Sequence, residues 1–146
     1  HLKSKMGFET IFSSDWKHYQ ETFLSIVSET CFDNNSIYFS EKTIKPLLHM
    51  HPFIMMSTPY TLQKLNELGF KTFDGFIDES YDREEQTKAR FQMILREIDK
   101  FNDKPFEELK NWWTDILPIL EHNQKRLLEL GKQKTEKIKL LEKIND

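Results

Sequence analysis

The stretch "YFSEKTIKPLLHMHPFIMM", residues 38–56, decides the expected fold because it joins a helix start to a buried strand. Ser40 is a residue type that caps helix N-termini. Pro46 is tolerated in the first turn of a helix, but deeper in a helix it removes a backbone hydrogen bond. We therefore predict that this helix begins at Lys42 or Thr43, after an initial turn that starts at Ser40.

Apolar runs typical of buried strands alternate with segments typical of helices along the first two-thirds of the chain. The predicted strands lie near residues 23–27, 51–56 and 70–73, each followed by a predicted helix, the last two of which end at Gly69 and Phe101. Such alternation is typical of a parallel sheet covered by helices. The predicted fold class is α/β: a small, Rossmann-like parallel sheet flanked by helices.

The remainder of the chain is predicted to be a helical C-terminal extension, interrupted or kinked at Pro118. We therefore divide the chain into an α/β domain, residues 1–102, and the extension, residues 103–146. From Gln124 onward the extension carries seven Lys or Arg against four Asp or Glu. Its incomplete apolar stripe predicts an amphipathic helix that packs on the domain or on a partner.

Composition excludes several classes of protein. The net charge of −3 argues against a nucleic-acid partner. Cys31 is the single cysteine, which rules out an internal disulfide and a cysteine-based metal site, and we expect it to be a small buried residue in a reducing, cytoplasmic setting. No apolar run reaches the roughly 18 residues of a membrane span.

The segment "SEKT", residues 40–43, has the chemistry of an anion site. Free amides and the positive end of a helix dipole favour negative charge, and Lys42 adds a full positive charge there. The simpler interpretation is a capped helix with a solvated lysine, and the residues alone favour it. Glu29 ends a predicted strand at the edge where open α/β sheets bind ligands, so it either faces a ligand or stabilises the loop.

A set of short motifs resembles a glycosyltransferase family common in viral and bacterial genomes. The motifs are "ET" at 29–30, "FSEKTIKPL" at 39–47, "HPFI" at 51–54, "P..L..L...GFKTF" at 59–73 and "DESYD" at 78–82. The Glu-Lys pair also resembles the donor-binding motif of α1,3-fucosyltransferases. In those enzymes it lies in the C-terminal, Rossmann-like half of a two-domain (GT-B) fold.

The resemblance implies a substrate site for a nucleoside diphosphate sugar, with no cofactor and no metal ion. Glu41 would contact the ribose and Lys42 the diphosphate, while Ser40 and Thr43 would supply hydrogen-bond donors; Glu29 and Thr30 complete the implied site. The acceptor half is not contained in 146 residues and would be an N-terminal domain or a partner chain on the C-terminal helix. The alternative function is a non-catalytic interaction module that uses the basic C-terminal helix.

Other candidate residues have simpler explanations. His49 and His51 would share one face of a strand and offer two zinc ligands, but turn residues are the favoured interpretation. Arg90 is expected in a surface ion pair. The acidic side chains that follow residue 73 would suit a hard cation, although a solvated loop explains them more simply; they are Asp74, Asp78, Glu79 and Asp82.

Overall fold

The computed structural model describes residues 16–30, 32 and 36–145, so the predicted burial of Cys31 lies outside the described residues. In chain order the elements are α1 (Trp16–Glu21), β1 (Ser25–Ser28), α2 (Glu41–Leu48), β2 (Phe53–Met56), α3 (Thr61–Glu67), a 3-10 helix (Glu79–Arg83), α4 (Thr87–Asn102) and α5 (Phe106–Asn145). None of the described helices combines the length and apolar character needed to cross a membrane.

Two parallel strands form the sheet, and α2 connects them. β1 pairs with β2 in a register that sets Ser25 opposite Phe53 and Ser28 opposite Met56. Every β2 residue except the last is buried; α4 packs against this strand, and the hydroxyl of Tyr81 in the 3-10 helix accepts from the Met55 N–H at 3.4 Å. The prediction of a small α/β fold, with a parallel sheet and flanking helices, is confirmed.

The third strand, predicted near residues 70–73, does not form. Its backbone groups bond to side chains instead of to a neighbouring strand. The amide side chain of Asn123 accepts from the Lys71 N–H at 2.7 Å and donates to the Lys71 carbonyl at 2.8 Å. The carboxylate of Glu79 accepts from the Phe73 N–H at 2.8 Å. The apolar run therefore fills the core as an irregular segment whose polar groups are nevertheless satisfied.

The predicted start of α2 is also wrong, because the helix begins at Glu41 with Ser40 as its N-cap. The Ser40 hydroxyl accepts from the Lys42 N–H at 3.2 Å. Pro46 lies inside the helix, where its missing N–H affects only the carbonyl four residues earlier, that of the exposed residue Lys42. The cap therefore outweighs the proline in fixing where this short helix starts.

The two other helix boundaries that we predicted give different results. α3 stops before Gly69 as expected, because this residue takes a left-handed conformation, with φ of +88°, that glycine adopts without strain. Pro118 does not interrupt the C-terminal helix, since α5 runs continuously from 106 to 145. The proline leaves without a donor only the carbonyl of Thr114, an exposed residue that water can reach.

α5 belongs to the same hydrophobic core as the sheet. Ile116 and Leu120 are almost completely buried in one cluster with Val27, Ile54 and Leu65. Four α5 side chains beyond this point reach across to backbone groups of earlier parts of the chain; they are His122, Asn123, Gln124 and Arg126. The C-terminal helix is thus an integral wall of the α/β unit along its first half.

Candidate functional site

A cleft of about 460 Å³ lies between β1 and the first turns of α2. Its lining residues are Tyr19, Ser25, Ile26, Val27, Ser28, Glu41, Lys42, Lys45 and Pro46. The lining includes all four residues of β1, so the cleft runs along the whole strand. At one end, near Ser28 and Glu41, it reaches the carboxyl edge at which open α/β sheets bind ligands.

Two lysines line the cleft from the helix side. Lys42 and Lys45 are three residues apart, so they share one flank of α2. Lys42 is the residue that the sequence singles out, whereas Lys45 and Ser28 were not among the predicted site residues. Lys45 could have been found from its helical spacing from Lys42. Ser28 could have been found from its position immediately before Glu29.

The outer edge of β1 contributes backbone polar groups to the same cleft. The Ser25 N–H donates to the carbonyl of Pro52, just before β2, at 2.9 Å, and the Glu29 N–H donates to the carbonyl of Met56 at 3.1 Å. Alternate residues of a paired strand face opposite neighbours, so the backbone groups of Ile26 and Ser28 point away from β2. Ile26 is 50% exposed. The cleft therefore offers hydrogen-bond donors and acceptors as well as positive charge.

Glu29 holds the start of α2 through three hydrogen bonds. Its carboxylate accepts from the Ser40 N–H at 3.0 Å, the Ser40 hydroxyl at 2.7 Å and the Thr43 hydroxyl at 2.5 Å. Glu29 is only 5% exposed. Its burial raises the pKa of the carboxyl, but the bonds from Thr43 and Ser40, with the charge of Lys42, outweigh this and leave the pKa below its ordinary value.

The protein's own carboxylate therefore occupies the position that the sequence suggested for a bound anion. The N–H groups of Ser40 and Lys42 are already bonded, to Glu29 and to the Ser40 hydroxyl. An external phosphate would approach α2 from the lysine flank and not along the helix axis. Glu29 thus acts as a support for the helix start, the loop-stabilising role that the sequence left open.

The six predicted site residues separate into three groups. Glu41 and Lys42 line the cleft. The second group, Glu29 with its two hydroxyl partners, forms the buried cluster beneath it. Thr30 is exposed and does not line the cleft.

A lysine in a first helical turn is not in itself diagnostic of an anion site. Lys88 is the second residue of α4, as Lys42 is of α2. Both are exposed and both face an unfavourable helix dipole. What distinguishes Lys42 is the cleft beside it and the second lysine on the same flank, so the site depends on the surroundings of this residue.

The two histidines stabilise the region around α1. His51 has its Nδ1 2.9 Å from the Ser25 hydroxyl and its Nε2 2.9 Å from the Thr22 carbonyl. Burial lowers its pKa. Tyr19 stacks on His49, with ring centroids 4.7 Å apart. Within the described part of the chain, no three His, Cys, Asp or Glu side chains are grouped to hold a metal ion.

Three of the four acidic residues after position 73 bond to backbone N–H groups; they are Asp78, Glu79 and Asp82. Asp82 accepts from Leu62 and Gln63 at the start of α3, at 2.9 and 3.1 Å. This helix has no cap of its own, because its N-cap residue Tyr60 makes no side-chain cap bond. Asp78 accepts from the Ser80 N–H at 3.0 Å. Asp78 and Asp82 therefore act as helix caps.

Arg90 is not in a surface ion pair, contrary to expectation. It is 1% exposed, and its guanidinium donates to the carbonyls of Ser57, Glu84 and Phe32. It also lies over the Phe32 ring, 4.4 Å from the centroid. The prediction failed because helical periodicity assigned Arg90 to the polar face, whereas the buried stripe of α4 consists of Arg90, Ile94 and Glu97.

Comparison with protein families, curated proteins and solved structures finds no match to this chain. The cleft must therefore be interpreted from its own residues.

Proposed function

We propose that this chain is the donor-binding half of a glycosyltransferase, with a Rossmann-like architecture that binds a nucleoside diphosphate sugar. The observation that carries the proposal is the convergence of Lys42 and Lys45 on one cleft, whose opposite wall is β1. The motif resemblance of residues 29–82 to glycosyltransferases supports the same assignment.

Two ammonium groups on adjacent helical turns suit a diphosphate. Each would lie against one side of the extended anion, and their attraction is strengthened where the cleft excludes water. During transfer the bond between the sugar and the diphosphate breaks, and negative charge grows on the departing phosphate. Lys42 and Lys45 would stabilise that charge without a metal ion.

The remaining lining groups suit the rest of a nucleotide. Glu41 would accept hydrogen bonds from ribose hydroxyls, while the outward backbone groups of Ile26 and Ser28 would bond to the edge of a base. The catalytic base belongs to the acceptor half in this proposal, so none is assigned here. That half would be a further domain or a partner chain.

Thermal unfolding with a panel of nucleoside diphosphates tests the proposal. A diphosphate that binds the folded chain, at ten times its dissociation constant, stabilises it by about 1.4 kcal/mol. For a chain of this size we expect the midpoint to rise by about 3 °C. Lys42→Ala should remove most of this rise, because it deletes one of the two charges on the diphosphate.

Lys88→Ala is the matched control, since it removes a lysine from the same position of another helix. Both variants relieve an unfavourable dipole interaction, worth a few tenths of a kcal/mol, but Lys42→Ala also loses the attraction of this lysine to Glu29 and should gain less. The nucleotide response is therefore measured against each variant's own ligand-free midpoint. Only Lys42→Ala should lose the nucleotide response. Absence of any nucleotide response in the parent chain, or an equal loss in both variants, would reject the donor site.

A further inference from the structure

A second and larger concavity lies on the other side of α2, away from the lysine cleft. This groove, of about 690 Å³, lies between α2 and the second half of α5, and the end of α3 forms its floor. Its walls are mainly leucine and isoleucine side chains, including Ile44, Leu47, Leu65, Leu68, Leu127 and Leu130. An apolar surface of this extent on one face is typical of an interaction site.

The groove continues along an exposed part of α5. Residues 131–139 are exposed without exception, and Ile138 is 47% exposed. At 1.5 Å per residue, the α5 wall from Leu127 to Lys139 is about 18 Å long. A helix segment without tertiary contacts has little stability of its own, so a partner along this wall would stabilise it.

The rim of the groove is basic. Lys132, Lys134 and Lys139 border it, against one acid, Glu136. Among the side chains described between residues 16 and 139, no carboxylate forms a salt bridge with any of these three lysines. A partner with an apolar stripe and acidic flanks would therefore match the groove in both polarity and charge.

The charge of the rim and the length of the groove discriminate among three possible occupants of the groove. A second copy of α5 would bring its own excess of basic residues, seven against four from Gln124 onward, against a rim of the same sign. A single fatty-acid chain would fill the floor but would leave the exposed α5 wall uncovered. An acidic amphipathic helix of three to four turns would cover the floor and the wall together.

We propose that the groove between α2 and α5 binds an acidic amphipathic helix of a partner protein. The apolar face of that helix lies on the leucine floor, and its carboxylates pair with Lys132, Lys134 and Lys139. This site is separate from the nucleotide cleft, so either can exist without the other.

A synthetic helix is the probe. A labelled peptide of about 14 residues would carry leucines at helical spacing on one face and glutamates elsewhere, and its twin would carry lysines in place of the glutamates. Fluorescence anisotropy with the full chain should show saturable binding of the acidic peptide, on the order of 100 µM. The basic twin should bind at least about tenfold more weakly.

Matched variants locate the binding. Lys134→Glu should weaken the acidic peptide about fivefold, whereas Lys137→Glu, on the same exposed stretch but outside the groove, should change it less than about twofold. Leu128→Ser should weaken binding, whereas Leu95→Ser should not; both leucines are 42% exposed, and only Leu128 lines the groove.

Three results would overturn the proposal. The first is no saturable binding of the acidic peptide, or equal binding of its basic twin. The second is an equal effect of Lys134→Glu and Lys137→Glu. The third is a dimer in sedimentation that Leu128→Ser converts to a monomer, because a second copy would then cover the groove.

Discussion

Glu29 is the residue on which the geometry of the nucleotide cleft depends. Its carboxylate joins the end of β1 to the start of α2 through Ser40 and Thr43. The cleft lies between these same two elements, so the carboxylate sets the distance between its walls. Glu29 thus positions the lysines without contacting the proposed ligand.

Replacement of Glu29 tests this role directly. Glu29→Ala leaves a backbone N–H and two hydroxyls without their charged acceptor, and we expect a loss of about 3 kcal/mol in the free energy of unfolding. Glu41→Ala, the control, removes an exposed acid of the same helix start and should cost no more than about 1 kcal/mol. Urea unfolding followed by tryptophan fluorescence measures both, and similar losses would contradict the supporting role of Glu29.

Glu79 gives the fold a pH dependence near neutrality. Burial raises the pKa of its carboxyl from 4.5 to about 7, against the opposing effect of hydrogen bonds from Thr72 and Phe73. The folded chain therefore holds this proton more tightly than the unfolded chain does. The stabilisation from Glu79 is complete below the unfolded pKa of 4.5 and is lost as the pH rises through about 7.

We therefore expect Glu79→Gln to remove part of this pH dependence. The parent chain should lose on the order of 2–3 kcal/mol more than the variant between about pH 5 and pH 8, because the glutamine does not ionise. Unfolding free energies at several pH values provide the measurement. The difference between the two proteins isolates Glu79 from His51, whose lowered pKa acts in the opposite direction. Parallel pH profiles would show that Glu79 does not titrate in this range.

At the scale of elements, the sequence predicts segments whose backbone groups bond to other backbone groups, and it fails where a distant side chain supplies the bonds. β1, β2 and α3 follow from apolar runs and a glycine stop. The irregular course of residues 70–73 depends on Asn123, about fifty positions away along the chain. No local pattern contains that information, so an apolar run bonded by a distant amide resembles a strand.

Replacement of Asn123 tests whether this side chain holds residues 70–73 in place. Its side chain, 1% exposed, makes both bonds to Lys71, and Asn123→Ala should lower the free energy of unfolding by about 2 kcal/mol. Asn66→Ala, at an exposed position of α3, should change it by no more than about 0.5 kcal/mol. Thermal or urea unfolding distinguishes the two, and an equal change would show that residues 70–73 hold their course without Asn123.

The same limit applies to the candidate site. The residue Lys42 and the helix that bears it are visible in the sequence. The cleft beside it is not, because the cleft depends on how closely α2 approaches β1. The hydrogen bonds from the start of α2 to the Glu29 carboxylate were also not foreseeable, because Glu29 is eleven residues from Ser40 in the chain.

For the whole molecule, the distribution of charge along the chain says more about possible partners than the net charge does. The total of −3 argues against a polyanion partner, yet the last part of α5 is basic and exposed. α5 therefore has parts with different surroundings: it packs against the core as far as Leu130, and residues 131–139 are exposed.

The buried guanidinium of Arg90 affects how the protein unfolds. Its acceptors belong to segments far apart in the chain, at Phe32, Ser57, Glu84 and Glu85. If one segment detached alone, the positive charge would remain in a poorly hydrated interior with fewer carbonyls around it. Partial opening is thereby discouraged, and these distant segments lose their native contacts in a single cooperative event.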